Sequence, residues 1–155
     1  IYYRAAGGRY FNIVTNSSQD STQERHLFFD KKISNCIGAV LSSSLFWWYQ
    51  QVYMDSLHIK SSEINSFPIP VAKLTPNIIR KIERLYAKYL KDIERNVVEH
   101  TTTEYKHVTK YKEYKIRYSK HLIDKIDDLI CPLYGLTDEE TEFIKNYELA
   151  FRVDD

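Results

Sequence analysis

Apolar residues recur at every third or fourth position in three long stretches of this chain, the spacing that places side chains on one face of an α-helix. The first stretch, residues 33–53, predicts either one bent helix or two consecutive helices. The second and third stretches, residues 78–97 and 111–133, are separated by a threonine-rich break at residues 100–104. A short connection between two long helices predicts that they pack as an antiparallel pair.

Aromatic and β-branched residues near the start of the chain predict a small β-sheet. Strands are predicted at residues 2–4, 9–15 and 26–29. Gly7 and Gly8 predict a tight turn between the first two strands, because glycine adopts positive φ without steric cost. These strands need partners, and the first residues already follow a strand pattern. We therefore interpret the chain as part of a longer polypeptide.

Proline, glycine and capping residues predict where the other elements begin and end. Residues 55–60 are predicted to leave the first helical region like a short strand, and residues 61–64 to form one helical turn. Residues 67–70 must be extended, because proline fixes φ and restricts the residue before it. Thr75 is predicted to cap the second long helix, with Pro76 in its first position. Pro132 is predicted to kink the third, and Gly135 to end it in the left-handed conformation. Thr137 and Glu140 form the pattern of a capping box at the start of the last helix. The last helix is predicted to end near residue 149.

These elements predict an α+β fold that is predominantly α-helical. A small β-containing segment, residues 1–72, would precede a helical region, residues 73–155, which holds a long antiparallel helical pair and a short C-terminal helix. No apolar run approaches the twenty or so residues that cross a bilayer, so no membrane partner is expected. Cys36 and Cys131 lie in apolar surroundings and are predicted to be reduced core thiols of a cytoplasmic protein.

The net charge of +1 conceals a strong asymmetry along the chain. Residues 1–72 carry six Lys/Arg against five Asp/Glu, a balance of +1. Residues 73–120 carry thirteen against six, or +7, and residues 121–155 carry three against ten, or −7. A basic and an acidic block in one chain indicate either a surface for a polyanion or helices that attract each other. Solvated helix faces of opposite charge are the simpler alternative.

Several kinds of catalytic site lack their motifs in this sequence. The four glycines form neither the strand–helix turn that binds a methyl donor nor a phosphate-binding loop, and no polar-Pro-Pro-aromatic loop is present. Cysteine and histidine pairs with metal-ligand spacing are also missing. The serines at residues 42–44 have no triad partners at a recognisable spacing and are better explained by helix packing. No catalytic residue, cofactor or metal ion is therefore expected in this chain.

Two groups of charged residues resemble metal sites but have simpler explanations. Glu-Tyr-Lys occurs at residues 104–106 and 113–115, and metal-dependent nucleases use a Glu-x-Lys triplet on a strand. We predict that both triplets lie in or beside helix, where alternate residues point apart. Asp124, Asp127 and Asp128 are predicted to face the preceding basic helix.

The chemistry that remains is nucleic-acid recognition. Arginine binds guanine edges and phosphates, and tyrosine stacks on bases or donates its hydroxyl. The candidate DNA-binding residues flank the Gly-Gly turn or lie on predicted loops and strand ends: Tyr3, Arg4, Arg9, Tyr10, Lys31, Lys32, His58 and Lys60. Trp47 and Trp48 could stack on bases, but their apolar helical context favours packing in the core or at a domain interface.

A series of short motifs in order resembles one bacterial family. They are Tyr2-Tyr3-Arg4, Gly7-Gly8-Arg9-Tyr10-Phe11, Leu41-Ser42-Ser43-Ser44-Leu45-Phe46, Asp55 with His58, Phe67-Pro68-Ile69-Pro70, Ile123-Asp124, Leu133-Tyr134-Gly135-Leu136-Thr137 and Phe143-Ile144-Lys145-Asn146-Tyr147-Glu148. Together they resemble the C-terminal part of combined restriction–modification proteins with a TaqI-like specificity domain. The similarity extends over nearly the whole chain, and Pro132 departs from it where a helix-forming residue is expected.

The resemblance implies a DNA target-recognition role for residues 1–72 and a structural role for the C-terminal helices. It also implies a methyltransferase domain elsewhere in the same polypeptide, which transfers a methyl group from S-adenosylmethionine to adenine N6. Some relatives carry a nuclease domain, so magnesium is a further cofactor of the parent enzyme to consider. Double-stranded DNA and the methyltransferase domain are the implied partners. The first half of the recognition domain, and base contacts with it, would lie outside this chain.

Three functional hypotheses follow. The first is a DNA-recognition module whose residues 1–72 lie in or beside the major groove, while the basic residues 73–120 bind phosphates or dock the catalytic domain. The second is a helical interdomain module of the same enzyme without direct DNA contact. The third, a free-standing nuclease, predicts magnesium-dependent cleavage, which we do not expect.

Overall fold

The computed structural model describes residues 1–5, 12, 14–18, 23–54, 58–104 and 107–153. Its fold is α+β and predominantly α-helical, as predicted. The strands are β1 Tyr2–Arg4, β2 Val14–Thr15, β3 Glu24–His26, β4 Val97–Glu104 and β5 His107–Tyr114. The helices are α1 Ser34–Leu41, α2 Ser44–Tyr53, α3 Ser61–Ser66, α4 Pro76–Arg95, α5 Lys120–Ile130, α6 Asp138–Asn146 and α7 Leu149–Val153. Short 3-10 turns lie at Val71–Lys73, Ile116–Ser119 and Cys131–Tyr134.

The N-terminal strands form an antiparallel sheet in the order β2-β1-β3. The third strand begins earlier than predicted and ends at His26, with one further pair of backbone bonds between Ile1 and Leu27. The prediction of a strand over residues 26–29 is therefore wrong beyond His26, and Phe28 is 90% exposed. The Gly-Gly turn and most of the predicted second strand lie outside the described residues.

The first helical region consists of two consecutive helices, α1 and α2, one of the two alternatives left open by the sequence. Ser43 separates them because its side-chain oxygen accepts a hydrogen bond from the Phe46 amide, which caps α2. The sequence does not reveal a second cap on the same helix. The Asp127 carboxylate of α5 accepts the amides of Ser44 and Leu45 at 3.3 Å and 3.2 Å.

Helices α1, α4 and α5 pack around one apolar core. Helix α4 begins as predicted, with Thr75 accepting the Ile78 amide and Pro76 in the first helical position. The buried face of α4 consists of Ile82, Tyr86, Tyr89 and Ile93. Gly38 of α1 lies against the Tyr86 side chain of α4.

Substitution of Gly38 by alanine is expected to destabilise the fold by about 1–3 kcal/mol through overpacking. An alanine Cβ would lie 2.6 Å from the Tyr86 hydroxyl oxygen, which is itself held by a hydrogen bond to the Val14 carbonyl. Denaturant unfolding measures the loss. In a Tyr86→Leu background, which removes the hydroxyl, the same substitution should cost less, and an equal cost in both backgrounds would contradict this explanation.

The predicted helix over residues 111–133 is wrong in its first half. Residues 97–104 and 107–114 instead pair as two antiparallel strands, β4 and β5, with eight residues in each, and we call this pair the β4–β5 hairpin. Threonine, valine and tyrosine favour strands, and here their partners lie across the hairpin rather than one helical turn away. Helix α5 begins only at Lys120, next to the end of α4, where Ser119 donates to Asp92 at 2.7 Å. Because α5 then packs on α4, it runs back along it as the predicted antiparallel partner.

The C-terminal signals are mostly confirmed. Pro132 lies in a 3-10 turn that ends α5, and Gly135 adopts the left-handed conformation at φ +83°. The capping box is present, with Thr137 and Glu140 bonding each other's amides at 3.2 Å and 2.8 Å. The last predicted helix is divided into α6 and α7, with a break that includes Glu148 at φ +50°.

The aspartates of α5 do not face the basic helix α4, so that prediction is wrong. Asp124 pairs with Lys120 one turn earlier in its own helix, and Asp128 pairs with Lys145 of α6 at 2.9 Å. Asp127 is fully buried at the start of α2, and this burial raises the pKa of its carboxyl to about 6. The acidic side chains thus join helices to one another and cap one of them.

The buried side chain of Arg152 lies near Asp127, at the start of α2. The Arg152 guanidinium of α7 lies 4.2 Å from the centroid of the Trp47 ring and donates to the Ser44 hydroxyl at 3.3 Å. Burial lowers the pKa of Arg152 to about 10, partly offset by the charge of Asp127. Arg152, Trp47, Ser44 and Asp127 therefore connect the last helix to α2 and α5.

The remaining predictions near the core are largely confirmed. Cys36 and Cys131 are buried free thiols, and burial raises the pKa of each. Trp47 is buried and Trp48 half-buried, in agreement with a packing role. Residues 61–66 form the predicted turn as α3, whereas residues 55–57 lie outside the described residues. None of the helices in the described ranges combines the length and apolarity that a bilayer span requires.

Candidate nucleic-acid interface

The predicted DNA-binding residues differ in their accessibility. Tyr3 is only 3% exposed because it lies in the core on β1, so its ring is not available to a large ligand in this conformation. Arg4, the next residue, is half-buried. Arg9 and Tyr10 lie outside the described residues.

The other four candidates are exposed but lie in two places. His58 and Lys60 flank Ile59, whose amide donates to the Ala5 carbonyl, so this segment lies next to Arg4 at the end of β1. The Lys60 amide also donates to Glu63 at the start of α3. Lys31 and Lys32 lie apart from this group, in the turn before α1.

The strongest concentration of accessible positive charge lies on α4. Five exposed cations alternate at spacings of three and four residues, which places them in one line along the helix: Lys81, Arg84, Lys88, Lys91 and Arg95. We call this line the cationic row. It is about 21 Å long at the helical rise of roughly 1.5 Å per residue. Within the described part of the chain, none of its members has a salt-bridge partner.

Two of the three acidic residues of α4 accept hydrogen bonds from residues outside the helix. Asp92 accepts a hydrogen bond from Ser119, and Glu94 accepts one from the Tyr114 hydroxyl at 2.8 Å. A cavity of about 460 Å³ lies beside the row and is lined by Asn16, Asn35, Glu83, Ala87, Leu90, Lys91, Glu94 and Arg95. Glu83 and Glu94 therefore offset part of the charge of Lys91 and Arg95 at the cavity, which Lys81, Arg84 and Lys88 do not line.

The β4–β5 hairpin follows the cationic row directly along the chain. Eight residue pairs make it about 26 Å long at roughly 3.3 Å per residue. Apart from each other, neither strand packs extensively on another element of the described chain. The hairpin is therefore a two-stranded ribbon that projects from the helical body.

The pairing register assigns the side chains of the ribbon to two faces, because directly opposed residues lie on the same side of an antiparallel pair. Glu99 opposes Lys112 and Thr101 opposes Lys110, and we call these four residues the inner face. Val98 opposes Glu113 and His100 opposes Tyr111, and these four form the outer face.

The inner face points towards the C-terminal end of α4, where the cationic row ends at Arg95. Lys112 lies 3.7 Å from Glu94, and Tyr114, two residues further along the same face, donates to the same carboxylate. Burial and the Glu94 carboxylate raise the pKa of Tyr114. The Lys115 amide also donates to the Asn96 carbonyl at 3.4 Å. These contacts fix the base of the ribbon to the end of α4.

The outer face carries a compact side-chain cluster. The rings of His100 and Tyr111 stack with centroids 5.0 Å apart, and His100 hydrogen-bonds to Glu113 at 2.7 Å. Lys115 donates to the other oxygen of Glu113 at 2.6 Å. The hydrogen bonds from Lys115 and then His100 lower the pKa of Glu113. An isolated two-stranded hairpin is only marginally stable, so this cluster stiffens the ribbon.

The prediction that the Glu-Tyr-Lys triplet at residues 113–115 lies in or beside helix is wrong. Glu113 lies in β5 and Lys115 directly follows the end of that strand, so neither residue is helical and their side chains contact each other. Among the described residues, however, no group of three or more His, Cys, Asp or Glu side chains is arranged to hold a metal ion. The Glu113 carboxylate instead forms hydrogen bonds with His100 and Lys115.

Sequence reasoning identified the basic block but not its arrangement. The spacing of the cationic row could have been found in the sequence, since all five residues fit one helical face. The sequence does not predict the ribbon, because the threonine-rich residues 100–104 of its first strand also have the pattern of a helix break.

Comparison with models of protein families, with curated proteins and with solved structures finds no match to this chain. The resemblance to restriction–modification proteins therefore stays a prediction.

Proposed function

We propose that this chain is a DNA-recognition module that binds duplex DNA through α4 and the β4–β5 ribbon. In this proposal it belongs to a cytoplasmic bacterial restriction–modification enzyme and positions DNA for an adenine-N6 methyltransferase domain. The observation that carries the proposal is the cationic row: five exposed, unpaired cations in a line on the described face of one helix.

The dimensions of the row suit a DNA backbone. Each strand of a duplex carries one negative charge per roughly 3.4 Å of helix axis, so a row about 21 Å long extends past about six phosphates. Lysine and arginine on a rigid helix can bind these phosphates and release their condensed counterions. Such contacts fix the position of the protein on the duplex without reading its sequence.

The proposal assigns binding and orientation to this chain and bond-making to the rest of its parent enzyme. S-adenosylmethionine, and magnesium if a nuclease domain is present, would bind to those other domains. The exposed candidates Lys31, Lys32, His58 and Lys60 stay predictions for additional DNA contacts.

The dependence of DNA affinity on salt tests this proposal. Each phosphate contact contributes about 0.9 to the slope of log K against log salt concentration. With the cationic row engaged, we expect a slope steeper than about −4 for a random-sequence duplex, measured by fluorescence anisotropy over several salt concentrations. A flat response, or no binding at low salt, would contradict the proposal.

The second candidate function is the interdomain module, which the outer side of α2 favours. This helix has no charged residue, and its half-buried Trp48 and Tyr49 adjoin Val52 and Tyr53, the latter 65% exposed. Aromatic surface of this kind suits a protein interface. If the chain is only such a module, replacing Val52 and Tyr53 by serine should weaken assembly of the parent enzyme while neutralising the cationic row leaves DNA binding unchanged.

A further inference from the structure

We infer that the inner face of the ribbon reads G·C base pairs in the major groove of duplex DNA. The inference depends on the proposed DNA-binding function and deepens it, because it separates the residues that read sequence from those that bind phosphates. It assigns the reading role to Glu99, Thr101, Lys110 and Lys112.

The shape of the ribbon selects the groove. A major groove is roughly 12 Å wide and admits a two-stranded β-ribbon, whereas a minor groove of roughly 6 Å does not. Among the described side chains of the ribbon, Thr101, Lys110 and Lys112 on the inner side and Thr102 and Tyr111 on the outer side are exposed to solvent. Because it projects from the body, it can enter a groove without rearranging the helical core.

The orientation of the ribbon selects the face. Lys112 and Tyr114 on the inner side both contact Glu94, which is adjacent to Arg95 at the end of the cationic row. A duplex whose phosphates lie on the row therefore meets the inner face next. The outer face lies on the other side, where the stacked His100 and Tyr111 brace the hairpin.

The chemistry of the inner face selects the bases. Lysine donates to guanine O6 and N7, and glutamate accepts from the N4 amino group of cytosine. Glu99 and Lys112 are directly opposed across the strands, so one acceptor and one donor are presented side by side. Lys112 lies 3.7 Å from Glu94, and a contact with guanine would replace this exposed ion pair, which contributes little stability. The Lys110 ammonium adds a second guanine donor, and the Thr101 hydroxyl serves either base. Within the described residues, Lys110 has no ion-pair partner that would compete with a base.

The experiment uses the full chain and a duplex selected from a random pool by repeated binding. The selected duplex is then made in three forms: unmodified, with 7-deazaguanine, which lacks the major-groove N7 acceptor, and with inosine, which lacks the minor-groove amino group. We expect 7-deazaguanine to weaken binding at least fivefold and inosine to leave it within about twofold, since a good base contact discriminates by roughly 5- to 150-fold.

Two matched substitutions on one strand identify the face. Thr101→Val and Thr102→Val each remove a hydroxyl and keep a β-branched side chain, but opposed pairing places Thr101 on the inner side and Thr102 on the outer side. The double variant Lys110→Gln/Lys112→Gln should bind the unmodified and 7-deazaguanine duplexes equally. Thr101→Val should weaken binding of the selected duplex relative to a random duplex, and Thr102→Val should not. Circular dichroism verifies that each variant is folded.

The outcomes separate this inference from the proposed function. If no duplex binds, the DNA-binding proposal fails and the inference fails with it. If duplexes bind but no sequence is enriched, or if the ribbon variants keep the discrimination of the wild type, the chain binds DNA without reading it through the inner face. If inosine rather than 7-deazaguanine weakens binding, the contact lies in the minor groove and the inference is wrong.

Discussion

The triple substitution Arg84→Gln/Lys88→Gln/Lys91→Gln is expected to reduce duplex DNA affinity at least tenfold near physiological salt. It should also reduce the salt slope by about three, since each lost phosphate contact removes about 0.9. These three residues occupy the middle of the cationic row and are exposed. Glutamine is a good helix former, so α4 should stay intact. Anisotropy titrations at several salt concentrations measure both quantities.

The matched control for this prediction is Lys125→Gln. Lys125 is an exposed lysine on α5, outside the cationic row. Its removal changes the net charge by one unit, so a small affinity loss common to all charge changes can be subtracted. A salt slope that stays the same in the triple variant would exclude the row as the phosphate-binding surface.

Asp127→Ala is expected to lower the unfolding free energy by about 3–5 kcal/mol, the largest stability effect of any single substitution proposed for this chain. The carboxylate is completely buried and accepts the Ser44 and Leu45 amides at the start of α2. Alanine leaves these two donors without an acceptor and removes the negative charge that offsets Arg152. Chemical denaturation followed by circular dichroism measures the loss.

Asp128→Ala is the control, because Asp128 is adjacent in sequence but its side chain is 54% exposed and pairs with Lys145 on the surface. Exposed pairs contribute roughly 0–1 kcal/mol, so this variant should stay close to the wild type. Equal losses of unfolding free energy in Asp127→Ala and Asp128→Ala would contradict the explanation that burial and capping make Asp127 important.

The pH dependence of the unfolding free energy is a second test of the burial of Asp127. Folding raises its pKa from 3.8 to about 6, so between these values the folded protein keeps a proton that the unfolded chain releases. Stability contributed by this group is therefore lost as pH rises through that window, by roughly 3 kcal/mol. Asp127→Asn cannot titrate there, so the wild type should lose stability relative to the variant as pH rises. A constant difference between the two would contradict the burial of an ionisable carboxyl.

Helix α4 could be predicted from the sequence because local and tertiary signals agree there. Thr75 and Pro76 give the start, and the apolar face repeats without interruption to Ile93. Once the helix bounds are known, the alignment of the five cations follows from geometry alone. The candidate phosphate-binding surface is thus largely a property of local sequence.

The ribbon could not be predicted by the same reasoning, because its stabilising contacts are between strands. Tyr111 and Tyr114 are three residues apart and fit a helical stripe, yet in the hairpin they lie on opposite faces. The stacking of His100 on Tyr111 becomes visible only when the register is known. The periodicity of aromatic residues was therefore a misleading signal in a segment whose β-branched residues favour strand.

The role of Asp127 could not be predicted for a different reason. Aspartates at helical spacing normally indicate a solvated face, and two of the three do lie at the surface. The third caps a helix that begins more than eighty residues earlier in the chain. Nothing local to α5 distinguishes it from its neighbours, so only the packing of α5 on α2 reveals it.

Lysine labelling with and without duplex DNA tests the central claim most directly. An amine-reactive reagent and mass spectrometry give the modification rate of each lysine in the folded chain. We expect bound duplex to protect Lys81, Lys88 and Lys91 of the cationic row, together with Lys110 of the ribbon, while Lys125 on α5 reacts at its original rate. Equal labelling of the row with and without DNA, or protection confined to Lys125, would contradict the account.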